Sequence, residues 1–154
     1  MMQKLLAMHR RIGAFDAQLA EWGGAALGLA LRCYIGWQFF KAGMVKLGDW
    51  GATRELFRLE YHVPLLPPDL AAVMGAGGEI VLPLLLALGL LSRPAALGLF
   101  LVNLMAVLSY PQLFDFACPA AVNDHKYWGM LLLVLAVFGP GRLSLDRWLQ
   151  RRAG

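Results

Sequence analysis

The stretch Leu70 to Leu91, LAAVMGAGGEIVLPLLLALGLL, decides the fold class. Its only ionisable side chain is Glu79. As a helix it would extend roughly 33 Å at 1.5 Å per residue, enough to cross the ~30 Å hydrocarbon core of a bilayer. Three further apolar segments surround it, from about Gly24 to Leu47, from Pro94 to about Tyr110, and from about Tyr127 to Gly139. The last is short for a span, so it must begin at Asp124 or His125, thin the bilayer, or let Lys126 snorkel. Gly139, Pro140 and Gly141 then end it.

Composition agrees with this reading. Hydrophobic residues make up 59% of the 154, above the ~45–50% usual for soluble domains, and charged residues make up 16%, below their ~25%. The mean hydropathy is +0.58. A soluble enzyme, a disordered chain and a disulfide-stapled secreted domain are excluded. The expected architecture is an all-α membrane protein, a bundle of four transmembrane helices with amphipathic interfacial helices at both termini.

The terminal segments carry the interfacial pattern. Within residues 1–23, Leu5, Met8, Ile12, Phe15, Leu19 and Trp22 recur at three- and four-residue steps, with Lys4, Arg10 and Arg11 between them. Residues 24–141 hold the four spans. In 142–154, Ser144 is placed to cap a basic helix bearing Trp148 and Leu149. In the loop between the first two spans, Thr53 to Tyr61 reads as a short helix that Pro64, Pro67 and Pro68 end.

Lys and Arg set the orientation. With the N-terminus inside, the inner side carries eight (Lys4, Arg10, Arg11, Arg93, Arg142, Arg147, Arg151, Arg152) and the outer side four (Lys46, Arg54, Arg58, Lys126). That asymmetry places both termini in the cytoplasm. It also accounts for the net charge of +4 without nucleic acid as a partner.

Three polar residues fall inside the spans, where a charge costs at least ~2.5–3.5 kcal/mol on insertion scales. Arg32 lies roughly 12 Å from the inner end of its span and Glu79 roughly 14 Å from the outer end of its own. Asn103 reaches a similar depth. The expectation is a midplane cluster of Arg32, Glu79 and Asn103, with Arg32 paired to Glu79. Such a pair can be purely structural, fixing bundle geometry, or form a site for a proton, an ion or a quinone-like headgroup. Gly28, Gly36 and Gly43 share the Arg32 face and invite close approach of a neighbouring helix. Pro83 withdraws the helical partner of the Glu79 carbonyl.

His62, Cys118 and His125 offer metal-ligand chemistry at the outer rim. No HxxxH or CxxC spacing joins them, so solvated loop residues are the default and no metal is assigned. Cys33 and Cys118 lie on opposite sides of the membrane in this topology, which disfavours a disulfide between them. The chain shows no Fe–S cysteine set, no histidine within a span to ligate haem, and no flavin fingerprint.

Several ordered pieces carry a family resemblance. They are Leu31-Arg32 with Gly36, Lys41-Ala42-Gly43 and Lys46-Leu47, then Phe57-Arg58-Leu59-Glu60-Tyr61-His62-Val63-Pro64. Glu79 follows, then Leu88-Gly89-Leu90-Leu91-Ser92-Arg93, Ala95-Ala96, and the closing Gly139-Pro140-Gly141-Arg142-Leu143-Ser144-Leu145-Asp146. Over about residues 24–149 the chain resembles the DoxX family of small four-span bacterial inner-membrane proteins. That family is similar to the DoxD subunit of a thiosulfate:quinone oxidoreductase. The residues matching its pattern are Arg32, Lys46, Glu79 and Arg93. The stretch Asp115 to Asp124, with Cys118 and Pro119, stands outside it.

The resemblance implies an inner-membrane subunit of a redox or oxidative-stress assembly, with quinone as a candidate ligand. It implies an accessory role more than a self-sufficient enzyme, and a protein partner or a second copy within the lipid. Arg32 and Asn103 would donate to the quinone, Glu79 would exchange its proton, and Trp37 and Phe39 would flank the ring. The alternative is a non-enzymatic membrane partner, or a small transporter linked to metal or stress handling.

Overall fold

The computed structural model describes residues 2–115 and 120–153, without the side chains of residues 4–7, 10–12 and 14. All regular structure among the described residues is helical. Helix α1, Met2–Gln18, passes through a single π-helical turn, Leu19–Gly23, into α2, Gly24–Gly48, with right-handed backbone throughout the junction. Helix α3, Trp50–Leu59, starts earlier than the sequence pattern suggested. Asp49 caps it by accepting from the Ala52 N–H at 2.9 Å, so the helix begins beside the better cap.

Helix α4, Pro68–Leu88, opens on proline, whose missing N–H has no helical partner to lose there. It ends at Gly89, in the left-handed region at φ 70°. Helix α5 is Ser92–Ser109, followed by a 3-10 turn at Pro111–Phe114. Helix α6, Ala120–Phe138, extends well to the N-terminal side of Tyr127, so Asn123 to Lys126 are helical despite their polarity. Helix α7, Leu145–Ala153, is capped by Ser144, whose Oγ accepts from the Arg147 N–H at 3.2 Å.

Small residues set the packing of α2 on α4. A Cβ added at Gly36 would lie 3.2 Å from the Pro83 carbonyl oxygen, and one at Gly43 would lie 3.0 Å from the Glu79 Cβ. These contacts fix an antiparallel register that pairs Gly43 with Glu79 and Gly36 with Pro83. Gly28, expected on the same seam, faces open space instead. Helix α5 lies along α4, with Val102 against Gly78 and Leu82 against Gly98. Helix α6 packs on α5 and returns to α2, where Phe39 meets Trp128 edge-on at 5.8 Å. Ile35, Leu86, Leu99 and Leu132 are fully enclosed at the centre.

The faces turned away from this core are also apolar. Val81, Leu84 and Leu88 on α4 and Leu97, Leu101 and Leu108 on α5 are exposed. Only 33% of the most apolar window in each of these two helices is buried, whereas a core helix of a soluble protein would bury most of it. By length and composition α4 and α5 can each cross a membrane. An apolar exterior of this extent is unfavourable in water.

Candidate functional site

The register of α2 on α4 decides which charges meet. Gly43 rests on the backbone side of Glu79, and Lys46 follows one helical turn later on the same face of α2. The Lys46 Nζ donates to both carboxylate oxygens of Glu79, at 2.8 and 2.6 Å. Glu79 is 7% exposed, so this pair is removed from solvent. The Lys46 carbonyl also accepts from the Thr53 hydroxyl at 2.8 Å, which ties the end of α2 to α3.

The expected Arg32–Glu79 pair does not form. Arg32 is buried, but it lies beside Gly89, ten residues along α4 from Glu79 and so about 15 Å away. Its Nε donates to the Gly28 carbonyl at 3.2 Å, and a terminal nitrogen donates to the Leu143 carbonyl. With Gly24 at a membrane edge the depths of Arg32 and Glu79 would nearly coincide. The observed register sets Arg32 level with the far end of α4. Asn103 stands near the level of Glu79, since its neighbour Val102 packs on Gly78, yet it faces α6. Its amide donates to the His125 carbonyl at 2.9 Å, and its oxygen lies 2.7 Å from the His125 Nδ1. That oxygen can only accept, so Nδ1 carries the proton. The three predicted residues therefore occupy three separate environments.

Beside the Lys46–Glu79 pair lies a cavity of about 510 Å³, within the ~300–1,000 Å³ typical of small-molecule sites. Lys46 and Glu79 are its charged members; Met74, Leu101, Val102 and Met105 supply apolar walls from α4 and α5. Phe57 and Tyr61 close the α3 side, in an aromatic stack that continues to Tyr110 with centroids 4.6 and 5.0 Å apart. Burial first, then the nearby Glu79 carboxylate, pushes the Tyr61 phenol up to about 12, so it remains an O–H donor at neutral pH. Met74 and Leu101, both more than half exposed, form the open rim.

The aromatics named from the sequence do not line this cavity. Trp37 is exposed and stacks on Phe40, and Phe39 is buried against Trp128. Sequence reasoning missed Tyr61 and Phe57 as cavity walls and Lys46 as the partner of Glu79. The signal for Lys46 was its i+3 spacing from Gly43. Of the rim residues, His62 is exposed and its N–H donates to the Ser109 carbonyl, while Cys118 lies outside the described residues. Among the described residues no three His, Cys, Asp or Glu side chains converge as metal ligands would. Arg93 lies at the opposite end, against Gly139.

A model of the DoxX family matches residues 27–112, more than half of the chain. The chain belongs to the DoxX family. An uncharacterized protein of Haemophilus influenzae is 29% identical over 140 residues, covering 88% of this chain and 91% of the relative. No solved structure matches. In this DoxX protein the family match takes in α2 to α5, and with them Lys46, Glu79 and the whole cavity wall. His125 and the Leu143–Asp146 segment lie beyond it. Family membership and the two apolar helices together make this a membrane-associated protein.

Proposed function

We propose that this DoxX protein is a four-span inner-membrane subunit of a redox assembly, and that the Lys46–Glu79 cavity takes the headgroup of a membrane quinone. Helices α2 and α6 supply the remaining two spans. At 25 and 19 residues they extend roughly 37 and 28 Å. The charges that lower the apolarity of α2 are accommodated, because Arg32 donates to backbone carbonyls, Lys46 pairs with the buried Glu79 and the exposed Lys41 can snorkel. Both termini then lie in the cytoplasm, following the Lys/Arg asymmetry. Reporter fusions after α7 and in the α5–α6 loop are expected on opposite sides of the membrane; the same side for both would overturn this topology.

One observation carries the quinone reading: a buried ion pair flanks an otherwise apolar cavity whose rim is open. A quinone has polar oxygens on a ring and an apolar tail, and it supplies two-electron chemistry when bound. The Lys46 ammonium has three donors and spends two on Glu79, leaving one for a carbonyl oxygen. Tyr61 offers a second donor, and Glu79 is the carboxylate able to exchange the accompanying proton. The tail would leave past Met74 and Leu101. With no electron-carrier motif in the sequence, the electrons come from a partner subunit.

Purified alone in detergent, the protein is expected to bind a short-chain quinone analogue saturably without turning over a donor. Ala106→Phe, which fills the cavity without touching the ion pair, is expected to weaken that binding about tenfold or more. Absence of saturable binding by the parent, or unchanged binding by a folded Ala106→Phe protein, would overturn the reading.

A further inference from the structure

The end of the molecule away from Lys46 contains a second cavity, of about 640 Å³, where the start of α5, the α6–α7 connection and α7 come together. Arg93, Arg142 and Arg147 line it, together with the carboxylates of Glu21 and Asp146. Both carboxylates are already engaged. Asp146 accepts from the Leu91 and Ser92 N–H groups at 2.8 and 2.9 Å, and Glu21 pairs with Arg142 at 2.6 Å. Arg93 has one long contact, 3.4 Å to the Val137 carbonyl. Among the described residues neither Arg93 nor Arg147 has a carboxylate partner. Two guanidinium groups thus border one cavity without a carboxylate paired to either.

The rest of the lining is of a different character. Phe138 is 80% exposed and Leu91 58% exposed at the same cavity. Two tryptophans flank this end, Trp22 beneath Arg142 at 5.2 Å and Trp148 beneath Arg152 at 4.2 Å, as amphipathic anchors at a membrane–water boundary do. A basic polar wall beside an exposed apolar flank matches a molecule with an anionic head and a hydrocarbon body.

We propose that this cavity binds the phosphate of an anionic phospholipid from the adjoining leaflet. Arg93 and Arg147 are its guanidinium donors, and Phe138 and Leu91 contact its first acyl carbons. Guanidinium presents paired N–H groups that match a phosphate oxygen pair. Three arginines against two carboxylates leave the cavity one positive charge in excess, which a lipid of single negative charge neutralises and a zwitterionic lipid does not. The bound phosphate would join α5 to α7 across the cavity.

The test uses the full-length protein in a neutral detergent, with bound lipid counted by native mass spectrometry. The probes are phosphatidylglycerol, phosphatidylcholine and inorganic phosphate. Phosphatidylglycerol is expected to bind about tenfold or more tightly than phosphatidylcholine, the contribution of two arginines near a charged headgroup. Inorganic phosphate at the same concentration is expected not to displace it. Arg93→Gln/Arg147→Gln is expected to erase the preference while leaving the lipid-free melting temperature unchanged. If the double variant does not fold, Arg147→Gln alone, on the exposed face of α7, is expected to reduce it severalfold. Equal binding of the two lipids, displacement by inorganic phosphate, or a preference that survives in a folded variant would each overturn the proposal.

Discussion

Glu79 and Arg32 are both buried charges lying against α4, and their surroundings differ. Glu79 meets a mobile-stemmed lysine beside a cavity of about 510 Å³ whose wall is apolar and whose rim is exposed. Arg32 donates to the backbone carbonyls of Gly28 and Leu143 and, with Ser144, fills the space beside Gly89. Around it the α4–α5 turn is closed by Asp146, whose carboxylate takes the Leu91 and Ser92 N–H groups and whose own N–H donates to the Gly89 carbonyl at 2.9 Å. Leu91 is held there at φ 48°, a conformation disfavoured for a residue with a side chain. Glu79 therefore keeps its charge next to space, while Arg32 lies where three chain segments are locked together. A buried charge by itself does not indicate a site.

The sharpest way to break this contrast is to strip one partner from the Lys46–Glu79 pair. Glu79→Ala leaves a buried ammonium uncompensated, which typically costs ~3–5 kcal/mol and should appear as lost folded yield and a lower melting temperature in detergent. The double replacement Lys46→Met/Glu79→Leu is expected to recover most of that stability while abolishing binding of the quinone analogue. If Glu79→Ala melts like the parent, the pair does not carry the stability assigned to it.

Around Arg32 the expected effect is smaller and is read as stability. Gly89→Ala puts a residue with a Cβ at φ 70° and drives that carbon into the Arg32 guanidinium and the Ser144 backbone. The conformational part alone is about 1–2 kcal/mol. Gly77→Ala, in the same helix facing open space, is the matched control and should be neutral or stabilise by up to about 1 kcal/mol. Quinone-analogue affinity should be unchanged in both. A Gly89→Ala protein no less stable than the Gly77→Ala control would dissolve the distinction between the two ends.

The smallest effect concerns Asp146. Burial raises its pKa, but the Ser92 and Leu91 N–H groups and the Arg32 charge outweigh it and hold the carboxyl below its ordinary range. Its stabilising contribution is therefore present above the unfolded value near pH 4 and is lost as the pH falls through the lower folded value. Asp146→Asn should flatten this acid-side loss and, at neutral pH, lower stability by about 0.5–1.5 kcal/mol, because the amide has one acceptor oxygen and gives up one of the two N–H bonds. Melting curves between pH 3 and 7 are the measurement, and an acid limb that persists in the variant would assign it to other groups.

Much of the local structure was readable from the chain. The apolar run around Glu79, the glycine and proline stop at Gly139 to Gly141, and the Ser144 cap each depend on a few neighbouring residues, so periodicity and turn chemistry reveal them. The close approach of α2 to α4 was legible in Gly36 and Gly43. The site was legible only in part. Lys46 and Glu79 both stood out as matches to the family pattern, but only Glu79 was placed in the polar cluster, and Tyr61 appeared as part of a motif without a role. Counting residues from the start of a span gives a depth along one axis and says nothing about where the neighbouring helix is in register.

The sequence by itself determined that this protein is helical, that its helices are apolar on faces too broad for water, and that one helix stops at Gly139 and another starts after Ser144. Those properties follow from side chains interacting with their own turn of backbone and with the surrounding medium. Only the tertiary structure decided that Glu79 belongs to Lys46, that Asn103 belongs to His125, and that Arg32 belongs to the α4–α5 turn. The reason is geometric. Which polar groups meet is set by the relative slide and rotation of packed helices, here fixed where Gly36 and Gly43 let α2 settle on Pro83 and Glu79.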